Sequence, residues 1–213
     1  MIRRLVPAVA VSLALVLAGC GGAEEGPMAG VEATDPGGMV AGMTLDMPYE
    51  PVTPDKADLV DTAGKPFDFA TSLDRDVTLV FFGYTMCPDV CQIVMGTIAS
   101  ALHQLDEEQR ERVGVVFVTT DPARDSVEAL RTYLDRFNPD FTGVRASLES
   151  TIEVGRGYAV HVEKGEKLPS GGYEVVHSDP VIGLDGDGRG TVVWTKDVSP
   201  SQLAQDLEEL LST

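Results

Sequence analysis

Two near-continuous apolar runs, residues 77–82 and 113–119, dominate the hydrophobic pattern of the chain. Runs of this kind, without polar alternation, predict strands buried on both faces of a sheet. Between them, residues 88–105 carry apolar positions at helical spacing, and Pro88 suits a first helical position. Residues 126–137 repeat that spacing, with Asp125 or Ser126 placed as the N-cap. Residues 144–146 then predict a short strand, 150–158 a short helix and 173–176 the end of another strand. Residues 180–184 and 191–195 flank Asp185-Gly186-Asp187-Gly188-Arg189-Gly190, where Gly and Asp supply the positive φ of a hairpin turn. A final helix runs from Ser199, a good N-cap, to about Leu211.

The order β-α-β-α followed by β-β-α predicts an α/β, thioredoxin-like fold with inserted elements in its middle. Residues 58–69, with a turn at Thr62-Ala63-Gly64-Lys65, predict an N-terminal β-hairpin extension. A chain of 213 residues with 43% apolar content supports one sizeable core. That domain is placed at residues 56–213.

What precedes it has a different composition. Arg3 and Arg4 lead into a 14-residue apolar run ending at Ala18, too short to span a bilayer comfortably and read as a signal peptide over residues 1–19. Leu17-Ala18-Gly19-Cys20 resembles the lipobox of bacterial lipoproteins, which implies lipidation of Cys20 and a protein anchored at the extracytoplasmic face of the bacterial cell membrane. Residues 20–55, rich in Gly, Pro and acids without a periodic apolar face, are read as a flexible tether.

The formal charge is −18, and loss of a leader that holds Arg3, Arg4 and no acid takes it to −20. So acidic a surface argues against nucleic acid and against electrostatic adhesion to anionic lipid. Lipid attachment is then what holds the protein at a membrane.

With Cys20 in the leader, Cys87 and Cys91 are the only thiols of the domain. They stand four apart at a strand-to-helix turn, where free helix amides and the dipole are expected to lower thiol pKa values. Cβ atoms one helical turn apart are about 5–6 Å from each other, against about 3.5–4.5 Å in a disulfide. The spacing thus favours a shared metal ion while leaving redox exchange open. Of the three histidines, His103 lies far along the first predicted helix and His161 in an irregular stretch. His177 follows Val175-Val176, which should deliver it to a loop at a strand end, facing that helix's N-terminus.

Four stretches together, residues 81–91 with Cys87-Pro88-Asp89-Val90-Cys91, Thr119-Thr120-Asp121-Pro122-Ala123-Arg124-Asp125-Ser126, Phe141-Thr142-Gly143 and Val176-His177-Ser178, resemble the Sco (SenC) family over about residues 50–212. The resemblance implies a thioredoxin-like, membrane-tethered protein that binds copper through Cys87, Cys91 and His177. It further implies a partner, the copper-receiving subunit of cytochrome c oxidase, whose binuclear copper centre such proteins help assemble. Met28, Met39, Met43 and Met47 in the tether are soft donors that suit Cu(I), although ordinary linker composition is the favoured account of them. Gln92 stands where the family usually has Pro, and Val176 where it often has an acid. An orienting partner for His177 is then sought elsewhere, with Asp89 and Asp121 as candidates.

A thiol–disulfide reductase is the alternative: Cys87 attacks a partner disulfide, Cys91 resolves it, and the oxidised form carries a Cys87–Cys91 disulfide. A peroxiredoxin-like peroxidase resembles the pattern less, since Tyr84 stands where that family has Thr. Closed zinc sites want four ligands, and only three credible ones converge.

Overall fold

The computed structural model describes residues 42–56, 58–167 and 173–212. The predicted leader, Cys20, Met28 and Met39 lie outside the described residues. In chain order the strands are β1 (Met43–Tyr49), β2 (Val60–Asp61), β3 (Val77–Gly83), β4 (Val113–Thr119), β5 (Thr142–Arg145), β6 (Val162–Lys167), β7 (Tyr173–His177), β8 (Val181–Leu184) and β9 (Gly190–Trp194). The helices are α1 (Val90–Leu102), α2 (Glu107–Glu111), α3 (Val127–Leu134), α4 (Leu148–Gly157) and α5 (Pro200–Leu211).

The two apolar runs form the centre of a seven-stranded mixed sheet ordered β1-β9-β8-β3-β4-β5-β2. β3 and β4 pair in parallel from Val77↔Val113 to Gly83↔Thr119, which requires a crossover, and α1 belongs to it. β8 joins the other side of β3 antiparallel. Strand side chains alternate between faces. Leu79, Phe81, Val115 and Phe117 therefore pack with α1, α3 and α5, while Val80, Phe82, Val116 and Val118 pack with α4, Leu59 and Phe69. Burying each such side chain contributes roughly 1.5–3 kcal/mol, so both faces are fixed by the same two strands.

The thioredoxin-like expectation holds, including the hairpin: Val60 bridges Pro66, and Gly64 at φ 76 makes its turn. Four boundaries differ. Met43–Tyr49, assigned to the tether, is an edge strand on β9. Its side chains are mostly exposed, so no apolar alternation marks it, and backbone pairing holds it instead. α1 begins at Val90 with Asp89 as N-cap, which leaves Pro88 outside the helix. The chain spends residues 84–89 turning around a sulfur, as described below. α1 also ends at Leu102, because Asp106 and Gln109 form a capping box that starts α2. Lastly, the inserted element is a separate antiparallel pair, β6–β7, of which only the β7 end was expected.

One carboxylate ties the far edge together. Asp206 on α5 accepts from Gly42 N at 2.7 Å, Trp194 Nε1 at 2.7 Å and Gln202 Nε2 at 2.8 Å. Trp194 is fully buried. Asp206→Ala removes these acceptors and strands the indole N–H, an expected loss of about 2–4 kcal/mol. Urea denaturation should show a lower midpoint at unchanged slope, with a smaller loss for Asp206→Asn. A change within about 0.5 kcal/mol, the usual range of inconsequential surface substitutions, would contradict this role.

Candidate functional site

β3 ends at Gly83, where an added Cβ would lie 3.0 Å from Cys91 Sγ and 3.0 Å from Phe81 Cε1. Glycine lets the strand end pass directly over the thiol. Residues 84–87 then form a turn closed by Cys87 N donating to the Tyr84 carbonyl at 3.2 Å. Asp89 makes no side-chain cap for α1. The Cys91 amide, in the first helical turn, instead donates to Cys87 Sγ at 3.5 Å. A helix-end N–H that would otherwise lack a partner thus meets a sulfur.

This loop is held from beneath by Asp125, which is fully buried. Asp125 accepts from Thr85 N at 3.0 Å, Thr85 Oγ1 at 2.6 Å and Thr119 Oγ1 at 2.6 Å. Thr120 N donates to the Gly83 carbonyl at 2.7 Å. Arg145 in turn donates to the carbonyls of Asp125 at 3.0 Å and Pro122 at 2.9 Å. Asp121 pairs with Arg124 and is also fully buried. The segment 119–126 is therefore a clamp on the cysteine loop. Asp125 was assigned at most a capping role from sequence, but Ser126 takes the cap on Ala129 N. Nothing local in the sequence points to Thr85, 40 positions away.

Cys91 is fully enclosed and Cys87 is 5% exposed; both are free thiols. Burial, reinforced by contact with Cys87, pushes the Cys91 thiol well above its ordinary 9.0. The expected acidification by the helix start fails for this thiol because desolvation outweighs the amide contacts that lower it. Tyr84 is likewise raised, first by burial and then by the two sulfurs.

His177 is the last residue of β7, paired with Val162, rather than a loop residue. Its ring stands edge-on to Tyr84 at 5.9 Å and Phe81 at 6.4 Å between centroids. Nδ1 lies 3.0 Å from the Ser178 carbonyl. A carbonyl only accepts, so Nδ1 carries the hydrogen, and in the neutral ring this leaves the lone pair on Nε2. A cleft of roughly 320 Å³ is lined by Tyr84, Cys87, Asp89, Val90, Val176 and His177. The structure thus brings His177 to Cys87 at the helix start, with Cys91 beneath. His103 caps the opposite end of α1 and His161 pairs with Glu163; neither joins the cleft. Among the described residues no three His, Cys, Asp or Glu side chains stand arranged to hold a metal ion as they are.

The SCO1/SenC family profile matches residues 52–212. The chain belongs to the SCO1/SenC family. It is 31% identical to the mitochondrial SCO2 homolog of Danio rerio over 136 residues, 63% of this chain and 49% of that protein. It spans about half the length of such mitochondrial relatives. Among solved structures it is similar to apo Sco1 from Thermus thermophilus, at 29% identity and a TM-score of 0.68, covering 79% of this chain and 95% of that one. It is also similar to copper-bound ScoI from Bradyrhizobium japonicum, at 29% identity and a TM-score of 0.64, covering 77% and 98%.

Both departures from the SCO1/SenC pattern find a physical account. Gln92 reaches back so that its Nε2 meets the Cys87 carbonyl at 3.5 Å. Val176 is exposed and apolar, and it lines the cleft beside His177 without a group that could bond to the ring. Ring orientation comes from the Ser178 carbonyl instead.

Asp125→Ala should cost about 3 kcal/mol, since it leaves buried hydroxyl and amide donors unpaired. It should also speed alkylation of Cys87 in the folded chain by iodoacetamide. Unchanged alkylation and stability together would remove the clamp assignment. The pH dependence follows from Cys91. Above pH 9 the unfolded thiol ionises while the folded one stays protonated, so the unfolded state binds fewer protons and stability falls as pH rises. The slope reaches about 1.4 kcal/mol per pH unit, and the contribution is complete below pH 9. Cys91→Ala should delay the fall to about pH 10, where the raised Tyr84, Tyr133 and Tyr158 take over. Equal urea midpoints for the parent at pH 8 and pH 10 would refute it.

Proposed function

We propose that this SCO1/SenC protein is a copper carrier that holds the ion through Cys87, Cys91 and His177 and passes it to the binuclear copper centre of cytochrome c oxidase. The observation that carries this reading is the shared cleft: Cys87 and the His177 ring line the same open cleft, with Nδ1 of His177 engaged by the Ser178 carbonyl. Two thiolates and an imidazole form a soft-to-borderline donor set suited to Cu(I) and, with a further ligand, Cu(II). Copper-bound ScoI from Bradyrhizobium japonicum supports copper as the cargo. Because three donors are not already gathered, the incoming ion draws them together and releases the Cys91 proton as it binds. Lipidation at Cys20 would hold the carrier on the extracytoplasmic face. No helix among the described residues is long and apolar enough to cross a membrane.

The reductase alternative uses the same two sulfurs. It requires a thiolate that reaches a partner's disulfide, and the burial of Cys87 and Cys91 works against that attack. A metal ion is small enough to enter where a disulfide is not. Anaerobic titration of the reduced chain should show one copper bound per protein. His177→Ala should weaken Cu(II) binding about a hundredfold or more, beyond the usual effect of losing an orienting group, and leave any disulfide reduction intact. Absence of stoichiometric copper binding by the parent chain would overturn the carrier reading and leave the reductase.

A further inference from the structure

Copper delivered by another molecule has to reach sulfurs that are almost closed off. Cys91 is fully enclosed and Cys87 is 5% exposed, yet Met86, directly before Cys87, is 69% exposed. Met86 occupies the third position of the turn that Cys87 N closes onto the Tyr84 carbonyl. Gly, Asn, Asp or Ser would serve such a corner better for the turn's own sake. The backbone beneath it is fixed, because Asp125 holds both the amide and the hydroxyl of Thr85. Consecutive Cα atoms are about 3.8 Å apart, so the Met86 backbone is anchored one residue from Cys87. Its side chain is long, unbranched and adaptable. A thioether is also a neutral soft donor for Cu(I) that has no proton to lose.

Resting on the copper-carrier reading above, we propose that Met86 is the landing ligand: its Sδ takes Cu(I) from the delivering molecule before Cys87 and Cys91 do. One bond from copper to the delivering ligand breaks as the bond to Met86 Sδ forms. Cys87 and then Cys91 displace the thioether and the remaining bonds to the delivering molecule, and both thiol protons go to solvent. Copper remains Cu(I) throughout, and no electron moves. Once the two thiolates hold the ion, Met86 is free again. It therefore sets the rate of loading and leaves the affinity of the loaded site unchanged.

The test follows Cu(I) transfer by stopped flow from its bis-bicinchoninate complex to the reduced full chain in detergent, with Cys20→Ser so that no third thiol competes. Met86→Leu keeps the apolar bulk and removes the donor. At an exposed position it should leave folding unchanged, which an equal melting temperature confirms. The expected result is loading slowed by about tenfold, equivalent to about 1.4 kcal/mol of barrier. Final stoichiometry and competition-measured affinity should stay within about twofold of the parent, and Met86→His, which restores a donor, should recover the rate. Equal rates for parent and Met86→Leu would overturn the landing role while leaving the carrier reading in place. An affinity loss as large as the rate loss would make Met86 a resident ligand and overturn it too. A parent chain that takes up no copper would overturn the carrier reading itself, and the landing role with it.

Discussion

The parallel pairing of β3 and β4 sets the position of everything else. It brings the ends of two strands, Gly83 and Thr119, to the same level at one edge of the sheet. Ligand sites in open α/β sheets form beyond strand ends of this kind. Here the two ends carry the two halves of the site. One continues into the cysteine turn and α1, the other into the clamp whose Asp125 grips Thr85. A slip of one residue in this pairing would turn the buried faces over and separate carboxylate from hydroxyl. Core packing and site geometry therefore depend on a single register.

Burial then decides the chemistry of the thiols. The same helix start that offers amides to Cys87 also covers Cys91, and for Cys91 the loss of solvent is the larger effect. A thiol held neutral inside the protein is poorly suited to attack but can give up its proton when a cation arrives. His177 shows the complementary arrangement, with one ring nitrogen committed to the Ser178 carbonyl and the other left with its lone pair. Under the proposed carrier reading, such a site is poised for a positive ion rather than preassembled around one.

Much of this was legible in the sequence, for identifiable reasons. The central strands could be read because burial on both faces leaves an unbroken apolar run, and α5 because Ser199 and Pro200 mark its start. Cys87 and Cys91 could be singled out as candidates by residue type and spacing, and His177 by the family resemblance; the structure brings Cys87 and His177 to one cleft. β1 could not, since an exposed edge strand is held by its backbone ladder and by Asp206, neither of which leaves a hydrophobic pattern. β6 escaped for a similar reason: Val162 is the one apolar residue in its sequence VEKGEK. The grip of Asp125 on Thr85 is a long-range contact between polar residues, and such pairs carry no periodicity at all. The start of α2 is different, because the Asp106-to-Gln109 spacing is a local signal that the longer apolar pattern of α1 obscured.

The placement of His177 also explains why the inserted β6–β7 pair belongs to the functional part of the molecule. His177 closes β7 opposite Val162, and Ser178 is tied to His161 by hydrogen bonds in both directions, at 3.0 Å each. The carbonyl of that same Ser178 orients the imidazole. The ring is thus fixed to the insertion by backbone contacts, while the sulfurs are fixed to the sheet and α1. Two parts of the fold thus face one cleft, with Cys87 from one and His177 from the other. Under the proposed carrier reading, an ion bound from both sides would couple occupancy of the cleft to the position of β7.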